Sequence, residues 1–410
     1  MQILFLTHRI PYPPDKGERI RAFHELRYLA ARHEVDLFCF ADTQECAENQ
    51  RFLRDLCRSV YVEVPPKAKR LARAAGNFLA GQPMSFGFFH SPQFSEKVRS
   101  ALQQSSYDVI FIYCSSMGES IPSPSPAPVV VDFVDADSQK FMQYASRSGF
   151  LRRWLYLREA RAVARAEQSL GQMAALSFAV TEHDARELGG NGRDGFKVEV
   201  VANGVHVPDV SERDDEAQFQ ELKPFALFVG TMNYPPNSDA AAYFARDILP
   251  LVRKTNPGLK FVIVGRDPDR HVRALAKIPG VFVRGAVQGA FDYFRNADVS
   301  VAPFRISQGF HNKIAESLAV GTPVITTSRA MAGIGLSERE GLFVADTSED
   351  FAGKVNSVLR DSRLRRELRL QAPAVRQRLS WDARLCRFEQ LIVQVAARSA
   401  TATRELAMGR

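Results

Sequence analysis

Short apolar runs alternate along this chain with longer stretches in which apolar residues recur at three- and four-residue spacing. The runs at Gln2–Thr7, 35–40, 60–64, Val109–Tyr113, Val129–Asp132, 176–180 and 198–201 are rich in Val, Ile, Leu and Phe, as strands of a buried parallel sheet are. A polar, acidic stretch at 208–224 breaks the pattern, which resumes at Phe225–Val229, Lys260–Val264, 281–283, Val299–Ala302 and Val324–Thr326. Helical spacing fills many of the intervals. Residues 19–32 set Ile20, Phe23, Leu26 and Leu29 on one side, 238–248 form a further helix, and 379–397 form a closing helix with Trp381. Strand–helix alternation, interrupted once, predicts an α/β chain of two doubly wound domains. The expected bounds are 1–207 and 208–378, with a helix and tail at 379–410 packing back toward the first domain. A chain of 410 residues is also too long for one ordinary core.

The most informative stretch is 301–327, read as strand, loop, helix, tight turn and strand. Gln308, Gly309 and Phe310 form the loop. Ile314, Leu318 and Ala319 share one face of the following helix (312–320), and Lys313 and Glu316 lie one turn apart on another. A glycine loop feeding a helix N-terminus, with a lysine in the first turn, suits an anion such as phosphate. A carboxylate one turn on can accept hydrogen bonds from vicinal hydroxyls such as those of a ribose. Taken alone, the stretch reads equally well as an ordinary βαβ unit.

Two further loops carry candidates. The first apolar run leads into a proline-rich loop ending in Lys16 and Gly17, where the glycine permits either close approach of a ligand or a tight fold; this is not a dinucleotide fingerprint. Arg19 and Arg21 after it read as solvated helix charges. Asp135 and Asp137 follow the Val129–Asp132 run, where binding groups gather in such folds, though helix capping is an alternative.

Composition narrows the classes. Hydrophobic residues at 45% and charged residues at 24% are those of a soluble globular protein, and a net charge of +8 suits an anionic ligand or membrane surface. Five cysteines (Cys39, Cys46, Cys57, Cys114, Cys386) without CxxC spacing imply reduced thiols in a cytoplasmic protein and no zinc site. No signal peptide or membrane span is expected. The helix at 148–170 combines Phe150, Leu151, Trp154 and Leu155 with a row of arginines; it can pack on the core or lie peripherally on an anionic membrane. Residues 67–73 (KAKRLAR) are a second basic patch. Aromatic stacking platforms for nucleic acid are lacking, so no nucleic-acid partner is expected.

In order, the segments PYPPDKGERIRAFHELRYLA, FAVTEHDARELG, VVANGVHVP, ALFVGTMNYPPN, FVIVGRDP, NADVSVAPF and QGFHNKIAESLAVGTPVI resemble the GT-B glycosyltransferases of family 4 over essentially the whole chain. DKGERIRAFH and VDFVDADSQKFMQYA add a narrower resemblance to bacterial sugar transferases of exopolysaccharide and PEP-CTERM/exosortase loci. The family resemblance implies two Rossmann-like domains facing across a cleft, with the acceptor on the first and a nucleotide diphosphate sugar on the second. It implies retaining transfer to a glycan or lipid-linked acceptor. It makes Glu316 the ribose contact and puts Gln308 where the family has its first glutamate. Where the family often carries a basic pair after the Phe225–Val229 strand, this chain has Thr231 and Asn237, and Gly230 and Thr231 there are expected to contact the donor. Diphosphate neutralisation is therefore expected of Lys313 and the helix N-terminus, helped by Arg305, with the Gly309 and Phe310 amides available. Gly17 matches the family's glycine loop, and Asp135 is the nearest match to the group beside the reacting centre. No DxD motif falls in a suitable loop, so neither metal nor cofactor is expected. Two other readings are a nucleotide-sugar epimerase using Asp135, His8 and His311, and a saccharide-binding scaffold without catalysis.

Overall fold

The computed structural model describes residues 1–14, 17–43, 50–146, 148–189, 195–207, 219–287, 289–306, 309–331 and 333–408, the side chains of Glu18 and of 402–408 excepted. The chain divides into two compact units, Met1–Val201 with Leu385–Arg410, and Ala202–Arg384.

The first unit is built on seven parallel strands: β1 (Gln2–Thr7), β2 (Glu34–Phe40), β3 (Ser59–Glu63), β4 (Val109–Tyr113), β5 (Val129–Asp132), β6 (Leu176–Ala179) and β7 (Val198–Val200), in the order β3-β2-β1-β4-β5-β6-β7. Parallel strands need crossovers, which place helices over the sheet and bury both faces; Leu4, Phe5, Ile110, Phe111, Val130 and Val131 are accordingly inaccessible. The C-terminal helix, Trp381–Met408, contributes to this core. Its Phe388 ring lies 5.5 Å from Phe111 and 4.7 Å from Phe178.

Arg21 corrects the sequence reading. It is 1% exposed, not solvated: its guanidinium bonds Asp132 Oδ2 at 2.6 Å, Glu25 Oε1 at 2.8 Å and the Val201 carbonyl at 2.8 Å. Arg19 is buried as well. Asp132 ends a fully buried strand, and a carboxylate there is tolerated only with a cation beside it.

The helix at Phe150–Met173 packs on the core along part of its length. Ala160, Val163 and Leu170 are buried, whereas Phe150, Leu151 and Trp154 are 90%, 77% and 56% exposed.

The second unit has six parallel strands: β8 (Phe225–Val229), β9 (Lys260–Val264), β10 (Val281–Gly285), β11 (Val299–Ala302), β12 (Val324–Thr326) and β13 (Leu342–Val344), in the order β10-β9-β8-β11-β12-β13. Its core gathers Phe228, Phe244, Phe261, Ile314, Leu318 and Phe351. The helix expected at 238–248 starts earlier, at Pro235, because prolines fit the first turn, where no amide donor is needed, and Phe244–Ile248 continues it as a π-turn. In each sheet the strand order reverses once, between β1 and β4 and between β8 and β11. Ligands of open α/β sheets bind outside the carboxyl ends of the strands at such reversals.

Candidate functional site

In the second unit, the loop after β8 and the segment after β11 leave the sheet at its reversal. Gly230 opens the first of these, where a side chain would have to displace those of Lys313 and Asn237. A Cβ there would lie 2.9 Å from Lys313 Nζ and 2.8 Å from Asn237 Nδ2. Gly265, after β9, is tighter still, since its Cβ would fall 1.6 Å from the Gly230 carbonyl oxygen. The two glycines let neighbouring turns and the Lys313 head close on one point.

Lys313 is in the first turn of the Asn312–Ala319 helix. Its Nζ donates to Asn237 Oδ1 at 2.7 Å, and Asn237 Nδ2 donates to the Thr231 carbonyl at 2.9 Å. This second bond fixes which end of the Asn237 amide faces the lysine. The ammonium also sits 4.5 Å from the Phe228 ring centroid and 4.7 Å from that of Phe304, contacts that favour a cation. Among the described residues it uses one of its three donors, so two remain for an anion. Desolvation draws its pKa down to about 7, opposed by the nearby Glu316 charge.

Glu316 lies one turn on, half-buried, and forms no hydrogen bond or ion pair among the described residues. Burial pushes its carboxyl up to about 7, and Lys313 opposes that rise. Both groups therefore stand near half-titration at neutral pH, and a ligand with phosphates and a diol would draw each to its charged form. His311 precedes the helix with its ring stacked on Phe304, centroids 4.3 Å apart. Burial, then the charge of Lys313, lowers its pKa to about 3, so the imidazole is neutral.

The other candidates are placed as follows. Gly309 takes a left-handed φ of 66°, and Phe310 packs on the core of the unit. Arg305 reaches Asp239 with two bonds, Nε–Oδ2 at 3.1 Å and Nη2–Oδ1 at 2.5 Å, while lying over the Tyr243 ring. Gln308 lies outside the described residues. Gly17 and Asp135 belong to the first unit. Gly17 begins the Gly17–Ala30 helix with open space where a Cβ would be. Asp135 follows Val134, a β-branched residue held at φ 68° by two bonds: its amide donates to Asp132 Oδ1 at 2.8 Å and its carbonyl accepts from the Val180 amide at 2.9 Å. Such backbone costs about 1–3 kcal/mol and persists where the surroundings enforce it. Burial, with Asp184 and Asp137 nearby, raises the Asp135 carboxyl to about 7.

The structure thus joins Gly230, Thr231, Asn237 and Lys313, with Glu316 one turn away. The aromatic walls Phe228 and Phe304 were not singled out in the sequence, where each is one apolar residue in or beside a strand. Among the described residues no group of three or more His, Cys, Asp or Glu is arranged to hold a metal ion.

Residues 223–361 match the model of the glycosyl transferases group 1, and residues 17–204 that of the glycosyl transferase 4-like domain. A phosphatidyl-myo-inositol mannosyltransferase of Mycobacterium leprae is 25% identical over 302 residues, covering 71% of this chain and 75% of its own. Among solved structures, sucrose-phosphate synthase of Thermosynechococcus elongatus superposes with a TM-score of 0.65 at 15% identity over the whole of both chains. HepE of Anabaena, solved in complex with UDP, superposes with a TM-score of 0.63 at 16% identity, over 99% of this chain and 100% of its own.

Proposed function

The chain belongs to the group 1 glycosyltransferases of family 4, with the two-domain GT-B fold, and we propose that it moves a sugar from a nucleotide diphosphate sugar to a glycan or lipid-linked acceptor in the assembly of an exopolysaccharide or other cell-surface polysaccharide. The observation that carries this reading is the Lys313 ammonium held by Asn237 against Gly230, with two of its donors unused among the described residues, at the strand-order reversal of the second unit. In this reading the donor diphosphate lies on Lys313, the Gly309 and Phe310 amides and the helix N-terminus, and the ribose hydroxyls donate to Glu316. The UDP held by the Anabaena neighbour supports UDP-sugars as the first donors to try.

Transfer breaks the bond from the anomeric carbon to the phosphate oxygen while the acceptor oxygen bonds the same carbon. We assign retention to attack on the departing face, where the leaving phosphate takes the acceptor proton, so no carboxylate pair is needed. Charge grows on the leaving oxygen, and fixed donors aimed at it stabilise the transition state more than the ground state. Lys313 and the neighbouring amides supply this without calling on a metal.

A panel of UDP-, GDP- and ADP-sugars tests the reading by thermal shift and donor turnover, with and without EDTA. One nucleotide series should raise the melting temperature and be slowly hydrolysed in EDTA. Silence across the panel would overturn the proposal, and an isomerised donor would replace it with the epimerase.

The exposed Phe150, Leu151 and Trp154 support a further part of the proposal, peripheral contact with the anionic inner face of the cytoplasmic membrane. No described helix is long and apolar enough to cross a membrane. In flotation assays the chain should rise with anionic vesicles and Trp154→Ala should rise less; equal behaviour with neutral vesicles would count against it.

A further inference from the structure

Asp135 is carried on the turn between β5 and the Asp137–Ser146 helix. Its carboxyl forms no hydrogen bond or ion pair among the described residues. The backbone around it is tied at successive residues. Besides the two bonds that hold Val134 at φ 68°, the Asp135 amide donates to the Phe133 carbonyl at 2.9 Å and the Ala136 amide to Asp184 Oδ1 at 3.2 Å. The Ser138 amide donates to Glu167 Oε1 at 3.2 Å. A turn in so sparsely allowed a conformation needs ties of this kind.

Asp184 comes from a different element. It stands in the first turn of the Glu182–Gly189 helix, three residues after Thr181, and is 4% exposed. Its amide donates to Thr181 Oγ1 at 3.1 Å, and its Oδ2 accepts from the Thr181 hydroxyl. In an ordinary capping box the acid at this position reaches back to the backbone amide of the cap. Here Oδ1 crosses instead to the Ala136 amide, 48 residues away. The oxygen that a helix cap would keep for its own backbone thus serves the Asp135 turn. Burial raises the Asp135 carboxyl to about 7, and Asp184 is the foremost of the charges acting on it; Asp137 adds to the rise, while Lys140 and Arg21 oppose it. Glu167, on the Phe150–Met173 helix, faces Asp137 and Ser138 on the other side of the turn.

We propose that Asp184 is a positioning residue for Asp135: it pins the turn that carries that side chain and sets a like charge against its carboxyl. Near neutrality a carboxyl so placed is partly protonated, and it can donate to a hydroxyl as well as accept from one. The inference rests on the glycosyltransferase reading only in placing Asp135 beside the reacting centre; the hold of Asp184 on the turn stands without it.

Carboxyl carbon NMR of the full chain labelled at aspartate tests this, the Asp135 signal being the one lost in Asp135→Asn. In the unaltered protein it should titrate near pH 7. Asp184→Asn keeps an acceptor for the Ala136 amide but removes the charge, and should bring the Asp135 titration down by about one pH unit. Glu167→Gln removes a charge from the far side of the turn and should leave that titration in place. Asp184→Ala also frees the Ala136 amide, whose hydrogen exchange should quicken about tenfold, the order of one lost bond, while Asp184→Asn keeps its protection. An Asp135 signal in the ordinary carboxylate range in the unaltered protein would overturn the proposal, whether or not the variants fold. So would a titration that Asp184→Asn does not move, unchanged exchange in Asp184→Ala, or an equal shift in Glu167→Gln, which marks a general effect of the acidic cluster. The pH profile of donor turnover should move to lower pH along with the Asp135 titration in Asp184→Asn. A profile that stays put while the titration moves would retire Asp135 from the reaction and leave the Asp184 assignment standing.

Discussion

The residue that decides most is Lys313, because its surroundings both need it charged and hold it near neutrality. Two phenyl faces and the Asn237 carbonyl oxygen favour the ammonium, while desolvation brings its pKa to about 7. A donor phosphate raises that value, so binding above neutrality takes up a proton, and affinity should fall as pH rises past about 7 by up to tenfold per pH unit. Glu316 has the opposite sign. Its carboxyl stands at about 7 without donor, and ribose hydroxyls favour the carboxylate, so binding below neutrality releases a proton and weakens as pH falls. UDP affinity measured by calorimetry from about pH 5.5 to about pH 9 should therefore be bell-shaped. Lys313→Gln should flatten the alkaline arm and Glu316→Gln the acid arm; a flat profile in the unaltered protein would remove the pair from the donor site. Lys313→Ala should lower turnover about 100-fold, as loss of one preorganised donor does, and Glu316→Ala should mainly raise the donor KM. Wild-type kinetics in both would refute the site assignment.

Among the elements, the turns after β8 and β9 are joined edge to edge. The Gly230 amide donates to the Val264 carbonyl at 3.0 Å and the Met232 amide to the Arg266 carbonyl at 2.9 Å. Alanine at the two glycines should separate fold from site. Gly265→Ala drives a Cβ into the Gly230 carbonyl, backbone on backbone, and should cost about 1–3 kcal/mol in thermal or urea melts. Gly230→Ala meets only the movable Lys313 and Asn237 side chains, so the melt should hardly change while UDP affinity drops about tenfold. Equal effects on both readouts would show that the turns act as one structural piece. These elements differed in how far the sequence disclosed them. β1, β4, β5, β8, β9, β11 and β12 were readable to the residue, because each is an apolar run whose neighbours are buried. β13 was not, being three residues with Phe343 and Val344 only partly buried. Lys313 was legible from its own loop and helix. Its partner Asn237, its phenyl walls and the Arg21–Asp132 pair were not assigned, since 76 residues separate Asn237 from Lys313 and 111 separate Arg21 from Asp132. Only the folded sheets bring such groups together.

At the scale of the whole molecule, the chain leaves the first unit after Val201 and returns to it at Leu385. The return is not a loose tail. Leu385, Phe388 and Ile392 are fully buried, and Phe388 lies against rings from β4 and β6. The second unit, by contrast, is one continuous stretch with its own core, and Lys313 and Glu316 lie within it. Stability of the two units should therefore be separable in the intact protein. Phe388→Ala removes a ring from the first core alone and should cost it about 3–5 kcal/mol. UDP should stabilise only the unit that binds it, by an amount set by its concentration over Kd. Differential scanning calorimetry should show two transitions, one shifted down by Phe388→Ala and indifferent to UDP, the other raised by UDP in both proteins. If UDP moved both transitions together, or if Phe388→Ala abolished UDP binding, donor binding would depend on the first core as well, and the assignment of the donor to the second unit alone would be wrong.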